Sequence, residues 1–87
     1  MLTIWKYQFE PFATEAQFSL PFGAEILHAD FQGETVCVWA RVDDGSVRQK
    51  RRFKFYGTGH YLDEDNGVYV STIFKGPYVF HLFEVSP

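Results

Sequence analysis

Apolar and polar side chains alternate along most of the chain with a period of two. From Trp5 to Phe9 every second residue is aromatic, and Lys6 and Gln8 lie between the rings. This alternation is typical of a half-buried strand, and no window longer than about one turn shows helical spacing. The pattern predicts seven strands, at residues 2–10, 17–20, 25–31, 35–42, 47–56, 68–74 and 78–85.

Turn-forming residues separate these strands. Gln32-Gly33 is predicted to be a two-residue hairpin turn, and residues 43–46 (DDGS) a tight loop between two paired strands. Residues 57–67 form the longest connection, with acidic residues at 63–65. Seven short strands with turn chemistry between them predict one all-β domain over residues 1–87. We expect an antiparallel meander that resembles a barrel or a sandwich.

The predicted turns also predict which residues face each other. Across the first hairpin Leu27 faces Val38 and His28 faces Cys37, and across the second hairpin Val36 faces Phe53. One face of these strands is then apolar and the other polar and basic. The predicted core contains Trp5, Tyr7 or Phe9, Phe18, Leu27, Val36, Val38, Phe53, Phe55, Val70, Phe80 and Leu82.

Composition narrows the class of protein. Hydrophobic residues make up 46% of the 87 residues and aromatic residues 20%, which excludes a disordered tail. The net charge of −3 argues against a generally basic nucleic-acid binder. Cys37 is the single cysteine, so no internal disulfide forms, and no apolar stretch approaches the roughly 20 residues of a membrane helix. The N-terminus does not resemble a signal peptide, and we expect a cytoplasmic protein with no membrane partner.

A basic run is the first candidate binding site. Residues 48–54 (RQKRRFK) carry five of the eight lysines and arginines, and the alternation places four of them on one face. The predicted pairing puts Trp39 and Arg41 beside them, where an indole ring stacks and the cations hold phosphate or an acidic protein surface. The alternative is a solvated face whose long side chains cover Trp39. The predicted binding residues are Trp39, Arg41, Arg48, Lys50, Arg52 and Lys54.

A glycine turn is the second candidate. Gly57, Thr58, Gly59 and His60 follow one another, and the two glycines allow a ligand to approach the backbone closely. Phosphate-binding glycine loops open a helix, however, and no helix is predicted here. The alternative is a tight bend that ends a strand.

The histidines and the cysteine are weaker candidates. His28, His60, His81 and Cys37 are zinc-ligand residue types, but their spacing does not match a metal motif. Cys37 opposite His28 would have the geometry of an activated thiolate, against the simpler alternative of a buried, inert thiol. We predict no metal, no cofactor and no catalytic residue, and therefore a protein that is not an enzyme.

Several short motifs, taken in order, resemble a family of small uncharacterised proteins from phages and prophages. The motifs are IWKY at 4–7, PFGAEILH at 21–28, WARVD at 39–43, RF at 52–53, GTGH at 57–60 and VFHLFE at 79–84. The resemblance spans nearly the whole chain and implies a phage origin and a place in the bacterial cytoplasm. It implies no activity.

Together these features favour a binding function. The leading hypothesis is a phage accessory protein that binds a host protein or protein–nucleic-acid complex, and so inhibits a bacterial defence system such as CRISPR. The alternatives are a module for a small ligand or nucleotide and a β-domain that binds single-stranded nucleic acid. The sequence also allows a homodimer that forms through the edge strands.

Overall fold

The structure, a computed structural model, describes residues 1–85 and contains the seven antiparallel strands that the alternation predicts. They are β1 (Leu2–Gln8), β2 (Glu15–Pro21), β3 (Glu25–Gln32), β4 (Thr35–Asp43), β5 (Arg48–Gly57), β6 (Val68–Lys75) and β7 (Tyr78–Val85). Within these residues, no helix has the length and apolar character that a membrane crossing requires. The all-β prediction is confirmed.

The strands form two sheets that pack as a sandwich. The three-stranded sheet has the order β1-β4-β3, and the four-stranded sheet has the order β2-β5-β7-β6. The sheets are not joined into a closed barrel. The predicted hairpin between β4 and β5 is wrong, because β4 pairs with β1 and β3 while β5 pairs with β2 and β7. The Asp43–Ser46 turn is present, but it carries the chain from one sheet to the other.

The β3–β4 hairpin is present in a different register from the predicted one. Its turn is Gly33-Glu34, with Gly33 at a φ of 65°, so Gln32 faces Thr35 and Ala29 faces Val38. A bulge between Ile26 and His28 then shifts the alternation by one residue. Leu27 is therefore 39% exposed, and the prediction that it belongs to the core is wrong.

The core fills the space between the sheets. Phe53 and Leu82 of the four-stranded sheet are fully buried, as are Val38 and Ala40 of the three-stranded sheet. The other predicted core residues are buried or pack against this cluster, except Leu27. The buried cluster also contains residues outside the predicted core list, namely Leu20, Ala24, Ala29, Ala40, Val42 and Ile73.

The two ends of the inter-sheet space differ. At one end Arg51 points inward beside Phe53 and forms a two-pronged ion pair with Glu84, with Nε–Oε2 and Nη2–Oε1 distances of 2.6 and 2.7 Å. Arg51 Nη1 also donates to the carbonyl oxygen of Ala24 in the β2–β3 turn. The pair raises the pKa of Arg51, because the charged form donates to the carboxylate. At the other end the space continues into a cavity between aromatic rings.

Candidate functional site

The predicted basic site is divided between opposite faces of the sandwich. Trp39 alternates with the buried Val38 and Ala40, so its ring lies on the outer face of the three-stranded sheet, together with Arg41. Arg52 and Lys54 flank the buried Phe53, and therefore lie on the outer face of the four-stranded sheet. The prediction that all six residues share one face is wrong, because it depended on a β4–β5 pair that does not form.

Trp39 and Arg41, on the outer face of the three-stranded sheet, already have partners on β3. Arg41 lies opposite Glu25, and its Nη1 is 3.5 Å from a Glu25 carboxylate oxygen. Trp39 lies opposite His28, with their ring centroids 6.0 Å apart. Tryptophan and arginine on this face are therefore already in contact with side chains of β3.

Cys37 is buried on that same face, under a polar bridge. Lys6 Nζ donates to Gln32 Oε1 at 2.6 Å, and the thiol lies 4.0 Å from the same oxygen. The predicted neighbour His28 is wrong, because Asp30 lies opposite Cys37. Over residues 1–85, no three His, Cys, Asp or Glu side chains come together as a possible metal site.

The four cations of β5 that were predicted to bind have different surroundings. The Arg48 guanidinium lies 5.1 Å from the centroid of the Trp5 ring and donates to the Ser46 carbonyl. Lys54 Nζ lies 2.5 Å from an Asp63 carboxylate oxygen. Lys50 is exposed and Arg52 is half-buried, and they lie opposite Ser19 and Gln17 of β2. We call Lys50 and Arg52, with these two polar neighbours, the β5 patch.

Asp63 ties the long 57–67 loop to β5. Hydrogen bonds from Lys54, at 2.5 Å, and from the Tyr56 hydroxyl, at 2.9 Å, hold the pKa of Asp63 below its usual range. The same contact raises the pKa of Lys54, since it favours the charged ammonium. Burial, followed by the bond to Asp63, raises the pKa of Tyr56. An acidic loop residue thus neutralises one end of the basic strand.

The predicted ligand loop forms a tight bend. His60 N–H donates to the Gly57 carbonyl at 3.0 Å, and Thr58 N–H donates to the Val79 carbonyl at 3.1 Å. A side chain at Gly57 would collide with the His60 ring, which lies 2.9 Å from the ideal Cβ position. The bend borders a groove against the β6–β7 turn. Because two of its amides donate within the protein, the loop offers an anion few backbone donors.

A chain of hydrogen bonds crosses the outer face of the four-stranded sheet. Thr58 Oγ1 lies 2.8 Å from His81 Nε2, Thr72 Oγ1 lies 3.0 Å from His81 Nδ1, and Tyr69 OH lies 2.7 Å from Thr72 Oγ1. Thr58 Oγ1 is also 3.2 Å from the Val79 carbonyl, which only accepts, so we assign the Thr58 proton to that bond.

This assignment gives every group in the hydrogen-bond chain a consistent role as donor or acceptor. His81 then donates from Nε2 to Thr58 and accepts at Nδ1 from Thr72, which in turn accepts from Tyr69. The Thr58 proton points to a backbone carbonyl and not to the imidazole, so we interpret the chain as a structural tie between the bend, β7 and β6. No local pattern predicted it, because Thr58 and Thr72 reach the two sides of the His81 ring only through strand pairing.

Two exposed rings lie on the same outer face and were not among the predicted site residues. Tyr69 is opposite Phe83 and 55% exposed, and Phe74 is opposite Val79 and 66% exposed. The alternation in 68–74 predicted the strand, but it did not indicate which side would stay uncovered. The four-stranded sheet thus carries cations on β5 and uncovered rings on β6.

Comparison with protein families matches the full chain, residues 1–87, to a model described as Domain of unknown function (DUF7352). The chain belongs to this family. No curated protein and no solved structure shows significant similarity to it. Membership in DUF7352 agrees with the resemblance to an uncharacterised family, and its description names no ligand or reaction. The geometry of the two faces therefore carries the functional argument for this DUF7352 member.

Proposed function

We propose that this DUF7352 protein is a non-enzymatic binding protein, and that the outer face of its four-stranded sheet binds the phosphate backbone of a single-stranded nucleic acid. The nucleic acid is either free or part of a host nucleoprotein complex. One observation carries the proposal, namely that the β5 patch and the exposed Tyr69 and Phe74 rings lie on one face of one sheet.

The cations and the rings are spread along the face, which suits an extended single strand. β5 and β6 are separated by β7 and so lie about 10 Å apart. The register places Tyr69 level with Lys54, and Phe74 beyond the Gly57 end of β5, far from Lys50. Lysine and arginine contact phosphates, while aromatic rings stack on bases whatever their sequence. The hydrogen-bond chain through His81 fixes β6 and β7 relative to each other, so the Tyr69 ring belongs to a pre-organised surface.

The opposite face supports the choice of this one. Arg41 on the three-stranded sheet is paired with Glu25. Lys50 on the four-stranded sheet is exposed and lies opposite Ser19, an uncharged residue. A cation without a facing carboxylate attracts an anionic partner more strongly than one that is already paired.

The biological setting of the proposal rests on the resemblance to phage proteins. A small domain with one charged and aromatic face suits a phage accessory protein in the host cytoplasm. Such a protein acts by occluding a nucleic acid or a nucleoprotein complex, as an inhibitor of a bacterial defence system such as CRISPR would. Small size and the absence of a predicted catalytic constellation in the sequence favour occlusion over chemistry.

Fluorescence anisotropy with labelled oligothymidylate and oligouridylate, at several salt concentrations, tests the proposal. We expect salt-dependent binding that Lys50→Glu weakens about tenfold. Phe74→Ala should weaken it by a smaller factor through lost stacking. Arg41→Glu is the matched control, because it changes the net charge equally on the opposite face, and it should change the dissociation constant by less than about twofold.

Two results would contradict the proposal. Equal weakening by Arg41→Glu and Lys50→Glu would mean that net charge, and not this face, drives binding. Absence of oligonucleotide binding, combined with a lysate protein that Lys50→Glu no longer retains, would replace nucleic acid by an acidic protein surface as the partner.

A further inference from the structure

The open end of the sandwich contains an apolar cavity of about 310 Å³. Its walls come from both sheets, with Phe9 and Phe31 on one side and Phe55 and Phe80 on the other. An apolar cavity of about 150 Å³ in another protein stays dry and binds benzene. A cavity about twice that size has room for about two fused rings.

The rings around the cavity form a continuous aromatic wall. The Phe9 and Phe55 centroids are 5.4 Å apart, those of Phe55 and Phe80 are 5.5 Å apart, and those of Phe80 and Phe31 are 5.9 Å apart. The Phe55–Phe80 pair is edge-to-face and the other two pairs are tilted. A wall of tilted rings presents both faces and edges, which are the contacts that a flat aromatic molecule makes in a favourable geometry.

Phe12 extends this wall at the mouth of the cavity. It lines the opening, its side chain is fully exposed, and its φ of 65° lies in the left-handed region that bulky residues rarely adopt. Tyr78 lines the same opening and is 65% exposed. A molecule seated in the cavity would cover part of both rings and remove apolar surface from water.

We propose that this end of the sandwich is a binding site for an uncharged, flat aromatic molecule of about two fused rings. The charged residues at the mouth of the cavity indicate which class of ligand it binds. Glu10 and Glu34 both line it, and Lys75, the cation there, lies 3.1 Å from Glu34 and donates to the Gly33 carbonyl. Two carboxylates and one compensated ammonium disfavour an anionic ligand. The site is separate from the proposed nucleic-acid surface, because it opens between the sheets.

Titration with 2-naphthol, followed by ¹H–¹⁵N NMR spectra of the intact protein, tests the site. We expect saturable shifts confined to the 9–14 loop and to the strands around Phe31, Phe55 and Phe80. The anion 2-naphthoate has the same two rings and should bind at least about fivefold more weakly. Ala13→Trp places an indole at the mouth and should weaken 2-naphthol binding about tenfold or more, whereas Val47→Trp, which adds the same ring at an exposed site elsewhere, should not.

Wild-type spectra decide the question even if Ala13→Trp does not fold. Shifts that do not saturate, or that spread over both outer faces, would overturn the site. Tighter binding of 2-naphthoate would overturn the ligand class. Sedimentation without probe supplies a further check, since a dimer that already buries Phe12 and Tyr78 would mean that a second copy of the chain occupies the opening.

Discussion

The two ends of the sandwich close the same inter-sheet space in different ways. At one end, which we call the sealed end, the Arg51 guanidinium donates from Nε and Nη2 to the Glu84 carboxylate and from Nη1 to the Ala24 carbonyl. At the other end the aromatic rings of both sheets surround a cavity, and Phe12 and Tyr78 remain exposed beside it. The centre between the ends is filled by Phe53 and Leu82.

This difference separates the part of the fold that confers stability from the part available for binding. A partly buried ion pair with matched geometry leaves little room for a ligand, and removing one partner leaves the other charge without compensation. Rings around a void lose dispersion contacts that a ligand can restore. We therefore expect substitutions at the sealed end to affect unfolding and those at the open end to affect binding.

The largest effect should come from Gly67→Ala at the sealed end. Gly67 has a φ of 77°, and a Cβ there would overlap the Glu84 carbonyl oxygen and lie 2.8 Å from Val85 Cα. We expect the variant to lose roughly 3 kcal/mol or more of unfolding free energy, measured by urea denaturation. Gly59→Ala is the control, since φ is also positive (89°) but a Cβ there would meet nothing within 4 Å. Equal losses in the two variants would show that the Glu84 contact does not constrain the fold.

Removing the ion pair should have the next largest effect. Arg51→Met keeps most of the side-chain volume but leaves Glu84, which is 26% exposed, without its partner. We expect a loss of about 1–3 kcal/mol in chemical denaturation. Adding Glu84→Met should recover part of that loss, because the uncompensated carboxylate is gone.

An exposed ion pair provides the reference for that measurement. Arg41→Met removes a partner from Glu25, and both side chains are more than half exposed. Its cost should stay below about 1 kcal/mol, since solvent screens such pairs. A cost equal to that of Arg51→Met would mean that burial does not strengthen the Arg51–Glu84 pair.

The smallest effect concerns the Asp63 tie between the long loop and β5. The folded-state pKa of Asp63 is lowered, so its contribution to stability is complete above the unfolded value of about 4 and is lost as the pH falls through the lower folded value. Asp63→Asn should therefore be less stable than the wild type at pH 7. That difference should shrink below about pH 4, as followed by urea midpoints. A difference that is constant from pH 7 to pH 2.5 would contradict the assigned ion pair.

The alternation of residues predicted the strands but not their partners. A turn such as Asp43–Ser46 has the same chemistry whether it joins two paired strands or carries the chain between sheets, so local sequence could not distinguish the two. The bulge near Leu27 was also not predictable from local sequence. An inserted residue reverses which side chains of the strand face the core, but it leaves the composition of the strand unchanged.

The candidate sites were predictable only where they depend on one strand. Lys50 and Arg52 share a face, as the alternation predicted, because they are two residues apart on β5, and their role in binding stays a prediction. Trp39 and Arg41 were assigned to that face through a wrong pair, and Tyr69, Phe74 and the cavity depend on contacts between distant segments. Such contacts have no signature within a short window of sequence.

The interleaved strand order also affects how the chain folds during synthesis. β1 and β2 are made first, yet they enter different sheets, and each pairs with a strand made much later: Leu2 with Asp43, and Glu15 with Lys54. Neither edge can be covered until about half of the chain has left the ribosome. Non-local pairing of this kind slows folding and leaves unpaired edges exposed in the nascent chain. The ribosome-bound intermediate is thus the stage at which this small domain is most exposed to aggregation.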